Sequence, residues 1–135
     1  MPNSHTEVFI HLVWTTSERK PLITSQIEPA LYSCIAARCR DFQAHLMAIG
    51  GISDHVHLLI RLPATLTIAQ IAKDLKGASS HLLTHRLSKP DFRWQSSYSA
   101  FSVSPEGVEA VCNYIQGQKQ HHAQRHIKPE WEIEG

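Results

Sequence analysis

His55-Val56-His57 stands inside an apolar run, Asp54-His-Val-His-Leu-Leu-Ile-Arg-Leu62. Side chains alternate across a β-strand, so residues two apart share a face, about 6.5 to 7 Å from each other. Two imidazoles so placed reach toward one cation, and a strand carrying His-x-His supplies half of a metal site. The plainer alternative is a pair of histidines decorating an exposed sheet face. A second polar cluster near the C-terminus, Tyr114, Gln118, His121 and His122, weighs against that alternative.

The rest of the chain bounds the fold around this strand. Its 135 residues, 42% hydrophobic and 19% charged, suit one globular domain spanning 1–135. No apolar run approaches the roughly 20 residues that span a bilayer, and Met1-Pro2-Asn3-Ser4-His5 does not begin a secretory signal. The expectation is a soluble cytoplasmic protein with no membrane partner. Cys34, Cys39 and Cys112 are odd in number and lack Cys-x-x-Cys spacing, which argues for buried thiols over disulfides or a zinc knuckle. A net charge of +1 argues against a broad non-specific grip on duplex DNA. Local basic groups remain as candidate phosphate contacts: Arg19 with Lys20, Lys73 with Lys76, and Arg86, Lys89 and Arg93.

Periodicity places the elements. Residues 6–14 are rich in β-branched and aromatic types and read as a strand. Ile27, Leu31, Cys34 and Ile35 recur at helical spacing, giving a helix to about Arg40 with Pro29 near its start. Residues 44–52 and 55–62 form a hairpin, with Gly50-Gly51 and Ser53-Asp54 supplying the turn. After Pro63, Thr65 or Thr67 caps a helix with the stripe Ile68, Ile71, Leu75 and Leu82, ended by Lys89-Pro90. Residues 98–104 alternate as a fourth strand, and Ser104-Pro105-Glu106 starts a last helix running to about Gln124. The order β-α-β-β-α-β with one additional C-terminal helix is an α+β, ferredoxin-like split βαβ arrangement. Two helices cover one face of the sheet. The extra helix is left to cover the other, where His55 and His57 point.

On that last helix Val108, Val111, Cys112 and Ile115 form the packing stripe, while Tyr114, Gln118, His121/His122 and Arg125 follow at steps of three or four. The polar row is either a solvated surface or the second half of the site. For a phosphodiester substrate the parts define a reaction. Two imidazoles and the Gln118 carbonyl oxygen are neutral ligands that leave a divalent ion's charge available to a phosphate oxygen. Tyr114, held in line, is then a nucleophile that forms a covalent phosphotyrosine.

These residues resemble a known family. His55-Val56-His57 with Leu-Leu-Ile, Trp94-Gln95 with Tyr98 to Pro105, and Asn113-Tyr114-Ile115-Gln116-Gly117-Gln118 ending in His121-His122 look like the single-tyrosine HUH transposases of small insertion sequences. Val13 to Pro21 and Leu75-Lys76-Gly77 fit as well. The resemblance implies His55 and His57 as metal ligands, Gln118 as the third, and Tyr114 as the nucleophile making a 5′-phosphotyrosine on single-stranded DNA. It also implies Mg2+ or Mn2+, hairpin-containing element ends as substrate, and a homodimer in which the tyrosine helix of one subunit serves the His-x-His of the other. Ser97 and Ser99 depart from the glycines common in relatives.

Other residues carry weaker signals. Asp54 either orients His55 or bonds its own turn, with the turn favoured. His121 and His122 read first as phosphate or surface contacts and second as supplementary ligands. His81 and His85 read as surface residues, His11 as structural, and Trp14, Trp94 and Phe101 mainly as core with base stacking as the alternative. Two other classes of function fit parts of the pattern. One is a non-catalytic ferredoxin-like nucleic-acid module, or a domesticated relative of the transposase; the other is a metal-dependent hydrolase in which Tyr114 orients water.

Overall fold

Phe9–Thr15 forms β1, buried along its whole length because both of its faces are covered. A computed structural model describes residues 4–123 and 128–132. The further elements are α1 (Glu28–Asp41), β2 (His45–Ile52), β3 (His55–Arg61), α2 (Ile68–His81), β4 (Ser99–Val103), α3 (Val108–Gln116) and α4 (Gln118–Ala123). The strands make one antiparallel sheet ordered β2-β3-β1-β4, the split βαβ topology expected of a ferredoxin-like chain.

Alternation divides the sheet into two faces. Ile10, Leu12 and Trp14 of β1 and Val56, Leu58 and Ile60 of β3 pack with Leu31 and Ile35 of α1 and Ile71 and Leu75 of α2. The opposite face carries Phe9, Ala48 and Leu59 against Val111 and Ile115 of α3. The register sets Val13 and Gly50 on either side of His57, and Thr15 and Ile52 on either side of His55. Both histidines therefore point to the face that α3 covers.

Several boundaries differ from the periodicity reading, each for a physical reason. Gly50 and Gly51 lie inside β2, and only Ser53-Asp54 forms the turn. A Cβ on Gly50 would run into the backbone carbonyl of Ile115, so glycine here lets α3 lie directly on the sheet. The second helix ends at His81 and opens into a π-turn over Leu82–Arg86, well before Lys89-Pro90. Ser79 and Thr84 bond their hydroxyls back to the carbonyls of Leu75 and Ser80, at 2.7 and 2.8 Å, which loosens the ladder there. Leu83 instead of Leu82 continues the buried row of Ile71, Leu75 and Ser79. Thr67, not Thr65, caps α2, with Gln70 completing a capping box.

The last helix is not continuous. Pro105–Gly107 is a 3₁₀ turn, and Gly117 (φ −96°, ψ 16°) separates α3 from α4. Gln124 and Arg125 lie outside the described residues.

Replacing Gly50 with alanine is expected to push α3 off the sheet. The cost, about 1–3 kcal/mol as for other overpacked sites, would appear as a lower midpoint in urea unfolding at unchanged slope.

Candidate metal and nucleophile site

Six polar side chains, His55, His57, Tyr114, Gln118, His122 and Glu132, meet on the face of the sheet that α3 covers. His55 and His57 come from β3 and are almost wholly buried. Tyr114 is 3% exposed and Gln118 1%, so the polar row of the last helix faces the sheet and not solvent. The Gly117 break does not disturb it, because His121 N–H still bonds the Gly117 carbonyl at 2.9 Å and continues the helical path. Lys119 pins α4 from outside, donating to Glu28 at 2.7 Å and to the Gly51 carbonyl at 3.1 Å.

The atoms that converge are specific. His55 Nε2 lies 3.2 Å from Gln118 Oε1, and His122 Nε2 lies 3.0 Å from the same oxygen. Glu132 enters from the C-terminal side: its Oε1 is 3.1 Å from His57 Nε2, 3.4 Å from His55 Nε2 and 3.6 Å from His122 Nε2. Its Oε2 accepts a short hydrogen bond from the Tyr114 hydroxyl. The Lys128 backbone N–H donates to the phenolic oxygen at 3.1 Å, and the His121 ring stacks on the phenol at 5.0 Å.

Each β3 imidazole is held from behind. Asp54 Oδ1 is 2.7 Å from His55 Nδ1, so the carboxylate orients the ring instead of bonding its own turn. His57 Nδ1 is 2.8 Å from His11 Nε2. Both rings thus present Nε2 to the cluster, the arrangement usual for histidine ligands. His11 is more than structural filler. Burial, with the neighbouring His57, lowers it to about 3, which keeps it neutral, and its Nδ1 has no partner among the described residues.

The donor set fits a divalent ion. Neighbouring ligands of a six-coordinate ion with bonds near 2.1 Å lie about 3 Å apart, and the contacts of Gln118 Oε1 and Glu132 Oε1 with the imidazole Nε2 atoms run from 3.0 to 3.6 Å. Ligand atoms of His55, His122 and Glu132 all lie within 4.8 Å of one another.

Charge in the cluster is set by burial working against the carboxylates. Burial lowers His57, and Glu132 only partly opposes it. Burial also lowers His122, with the charge of His55 adding to the effect. His55 ends up raised, because Glu132 and Asp54 together outweigh its burial. Glu132 itself is held well below the usual carboxylate range: burial works upward, and its bonds to His55 and His57 overcome it. Burial and the Glu132 bond push the Tyr114 phenol up to about 12.

The profile of the family described as "Transposase IS200 like" matches residues 4–118. The chain belongs to the IS200-like transposase family. A solved structure of a candidate transposase from Deinococcus radiodurans R1 superposes on this transposase with a TM-score of 0.67, at 24% identity, covering 87% of this chain and 98% of that one. A REP-associated tyrosine transposase solved with a REP hairpin superposes with a TM-score of 0.68, at 14% identity, covering 90% of this chain and 73% of that one. At these identities the likeness is one of fold. No curated protein matches.

The remaining residues singled out in the sequence fall in several places. His55, His57, Tyr114 and Gln118 come together within one chain, so exchange of tyrosine helices between subunits is not needed to assemble them. Arg19 is exposed and its charge is felt at His122. It follows Glu18 in a pair of residues with φ of 56° and 53°, a left-handed backbone that costs energy in residues other than glycine. Lys20 pairs with Glu18 at 3.5 Å, and Lys73 is exposed. Lys76 has a structural task, donating to the carbonyls of Gln95 and Ser97 at 2.6 and 3.1 Å. Trp14 is fully buried against Trp94, which donates to Ser79 at 3.0 Å, so Trp14 has no face for a base. His81 and His85 approach each other at 4.6 Å on the outer surface. Among the described residues no helix is long and apolar enough to cross a membrane.

Sequence reasoning missed Glu132 altogether. It carries no periodic signal and sits 14 residues beyond Gln118, directly after the turn of Pro129–Trp131. His11 had a readable signal, since it shares the odd-numbered face of β1 with Val13, the partner of His57.

Protonation of this cluster predicts a pH window. The Glu132 contribution to stability is complete above its ordinary value of 4.5 and is lost as pH falls toward the depressed folded value. The His55 contribution is complete below 6.5 and fades as pH rises through its elevated folded value. In metal-free protein, the melting-temperature deficit of Glu132→Gln should be largest between those values and shrink on either side. A deficit that stays constant from pH 4 to 9 would contradict this charge assignment.

Proposed function

We propose that this transposase cleaves and rejoins single-stranded DNA through a 5′-phosphotyrosine on Tyr114, with a divalent metal held by His55, His57 and Gln118. The observation that supports this most is the convergence of two imidazole Nε2 atoms, an amide oxygen and a phenol in one buried cluster at the sheet face. A stacking platform for passive RNA or DNA binding would carry aromatic rings there instead.

The chain's own groups account for the chemistry. Tyr114 Oη attacks the phosphorus, a Tyr–O–P bond forms, the bond to the 3′ oxygen breaks, and the phenolic proton is lost as the departing 3′ oxygen gains one. His121 stacked on the ring and Lys128 N–H at the phenolic oxygen restrict the nucleophile to one orientation, which saves the entropy of finding it. A magnesium or manganese ion at the three ligands supplies Lewis-acid charge to the non-bridging phosphate oxygen and the departing alkoxide. The phosphotyrosine retains the energy of the phosphodiester, so a free 3′-hydroxyl reverses the step and joins DNA without ATP.

The substrate we infer is a hairpin-bearing DNA end, in keeping with the hairpin-bound relative of the same fold. Arg19 and Lys20 beside the site and His121 at its rim are the groups we assign to phosphates, whereas Lys73 stands on α2, which covers the opposite face of the sheet. The homodimer implied by the resemblance belongs to this reading as the form that pairs two element ends.

The deciding experiment incubates the protein with Mn2+ and a single-stranded oligonucleotide carrying the imperfect palindrome nearest its gene. A covalent protein–DNA adduct is expected on denaturing gels. Tyr114→Phe should abolish it while leaving binding intact, and His57→Ala should abolish metal-dependent cleavage. The same adduct from Tyr114→Phe would remove Tyr114 from its role. His11→Leu takes away the partner of His57 Nδ1 and should weaken Mn2+ binding about 10- to 100-fold, as loss of such supporting groups does elsewhere.

A further inference from the structure

The groups that the reaction above leaves unused are His122 and Glu132, and they lie inside the cluster, not beside it. Three imidazole nitrogens surround Glu132 Oε1 at 3.1, 3.4 and 3.6 Å. His122 Nε2 also lies 3.0 Å from Gln118 Oε1. His55, His122 and Glu132 offer ligand atoms that all lie within 4.8 Å of one another, and His57 and Gln118 join them through single contacts to Glu132 Oε1 and to the two imidazoles at 3.0 to 3.2 Å, close to the roughly 3 Å between adjacent ligands of one ion.

The second oxygen of Glu132 adds a different constraint. It accepts the Tyr114 hydroxyl, so this one carboxylate spans from the imidazoles to the nucleophile. A phosphodiester undergoing attack must make the same span, with a non-bridging oxygen at the imidazoles and its phosphorus within reach of the phenol. Carboxylate and phosphate are both anionic acceptors with paired oxygens, and the two cannot occupy that position at once. In the segment that delivers Glu132, Lys128, Pro129 and Glu130 are exposed; it meets the rest of the molecule through the Lys128 N–H on the phenol, Trp131 edge-on to Tyr114 at 5.1 Å and near His11 at 6.4 Å, and Trp131 on the apolar patch of Leu59, Val111 and Ile115.

We propose that His122 and Glu132 are additional metal ligands of the DNA-free protein, and that the scissile phosphate displaces the Glu132 carboxylate when DNA binds. This rests on the metal site of the preceding section and extends it from three ligands to five. Three imidazoles with a carboxylate and an amide form a set that binds later first-row divalent ions more tightly than magnesium. With Glu132 bound, the ion is partly neutralised and the phenol is capped by the same carboxylate. Its departure frees both at once, so substrate entry and activation of the nucleophile become a single event.

Two measurements test this. In the first, free Mn2+ is followed by electron paramagnetic resonance as it is titrated into the protein without DNA. Glu132→Ala and His122→Ala are each expected to weaken Mn2+ binding at least 10-fold, and unchanged affinity in both would overturn the ligand assignment. His57→Ala is the control for the underlying reading: if it too binds Mn2+ like the parent, the metal site itself fails, whereas loss in His57→Ala alone overturns only the five-ligand set. In the second, binding of the palindrome oligonucleotide is measured by fluorescence anisotropy in Mn2+, with Tyr114→Phe present throughout to prevent cleavage. Removing the competing carboxylate with Glu132→Gln should tighten DNA binding at least 5-fold. Equal or weaker binding would overturn displacement, and circular dichroism of each variant establishes that it is folded.

Discussion

The structure depends on the direct seating of α3 on the open face of the sheet at Gly50. An α-helix normally stands off a sheet by the thickness of two layers of side chains. Here the Ile115 carbonyl approaches so closely that a Cβ on Gly50 could not be accommodated. Gly50 is the strand partner of His57, so the point of closest approach is also the point where the helix meets the histidine strand. Ile115 anchors in the apolar patch with Leu59 and Val111, and Tyr114, one residue earlier, is carried to the His57 side at 5.9 Å between ring centres.

Around that contact the molecule concentrates polar groups that an ordinary core avoids. Buried polar atoms are tolerable when each has a partner, and nearly every nitrogen of the cluster has one: Asp54 behind His55, His11 behind His57, and Gln118 and Glu132 in front. Among the described residues two carboxylates, Asp54 and Glu132, serve the whole group. His57 and His122 are lowered and so favour the neutral form that a metal ligand requires, while His55 alone is raised. Among the described residues, Nδ1 of His11 is the buried ring nitrogen of the cluster without a partner.

Much of the site was legible because it follows local periods. His55 and His57 share a face by the two-residue repeat of a strand, and Tyr114, Gln118 and His121/His122 by the helical repeat. Those regularities survive folding even though Gly117 breaks the helix, since His121 N–H still bonds the Gly117 carbonyl across the break. What periodicity misjudged were features fixed by neighbours in space. Gly50-Gly51 resembles a turn in sequence and serves as a helix-bearing surface in three dimensions. Lys76 resembles a free phosphate contact, yet its ammonium is committed to the carbonyls of Gln95 and Ser97. Trp14 has the chemistry of a base-stacking ring but sits fully buried.

Sequence by itself determined the order of strands and helices, the face on which the histidine pair lies, and the row of tyrosine, glutamine and histidines on the closing helix. These are consequences of backbone periods and of apolar burial, which act over a few residues. Only the tertiary structure decided that His11 backs His57, that Asp54 turns to His55, and that Glu132 joins imidazoles to the phenol. Those partners are separated along the chain by anything from one residue to 75. Their meeting is set by strand register, helix approach and the path of the C-terminal segment, none of which leaves a repeating mark in the order of amino acids.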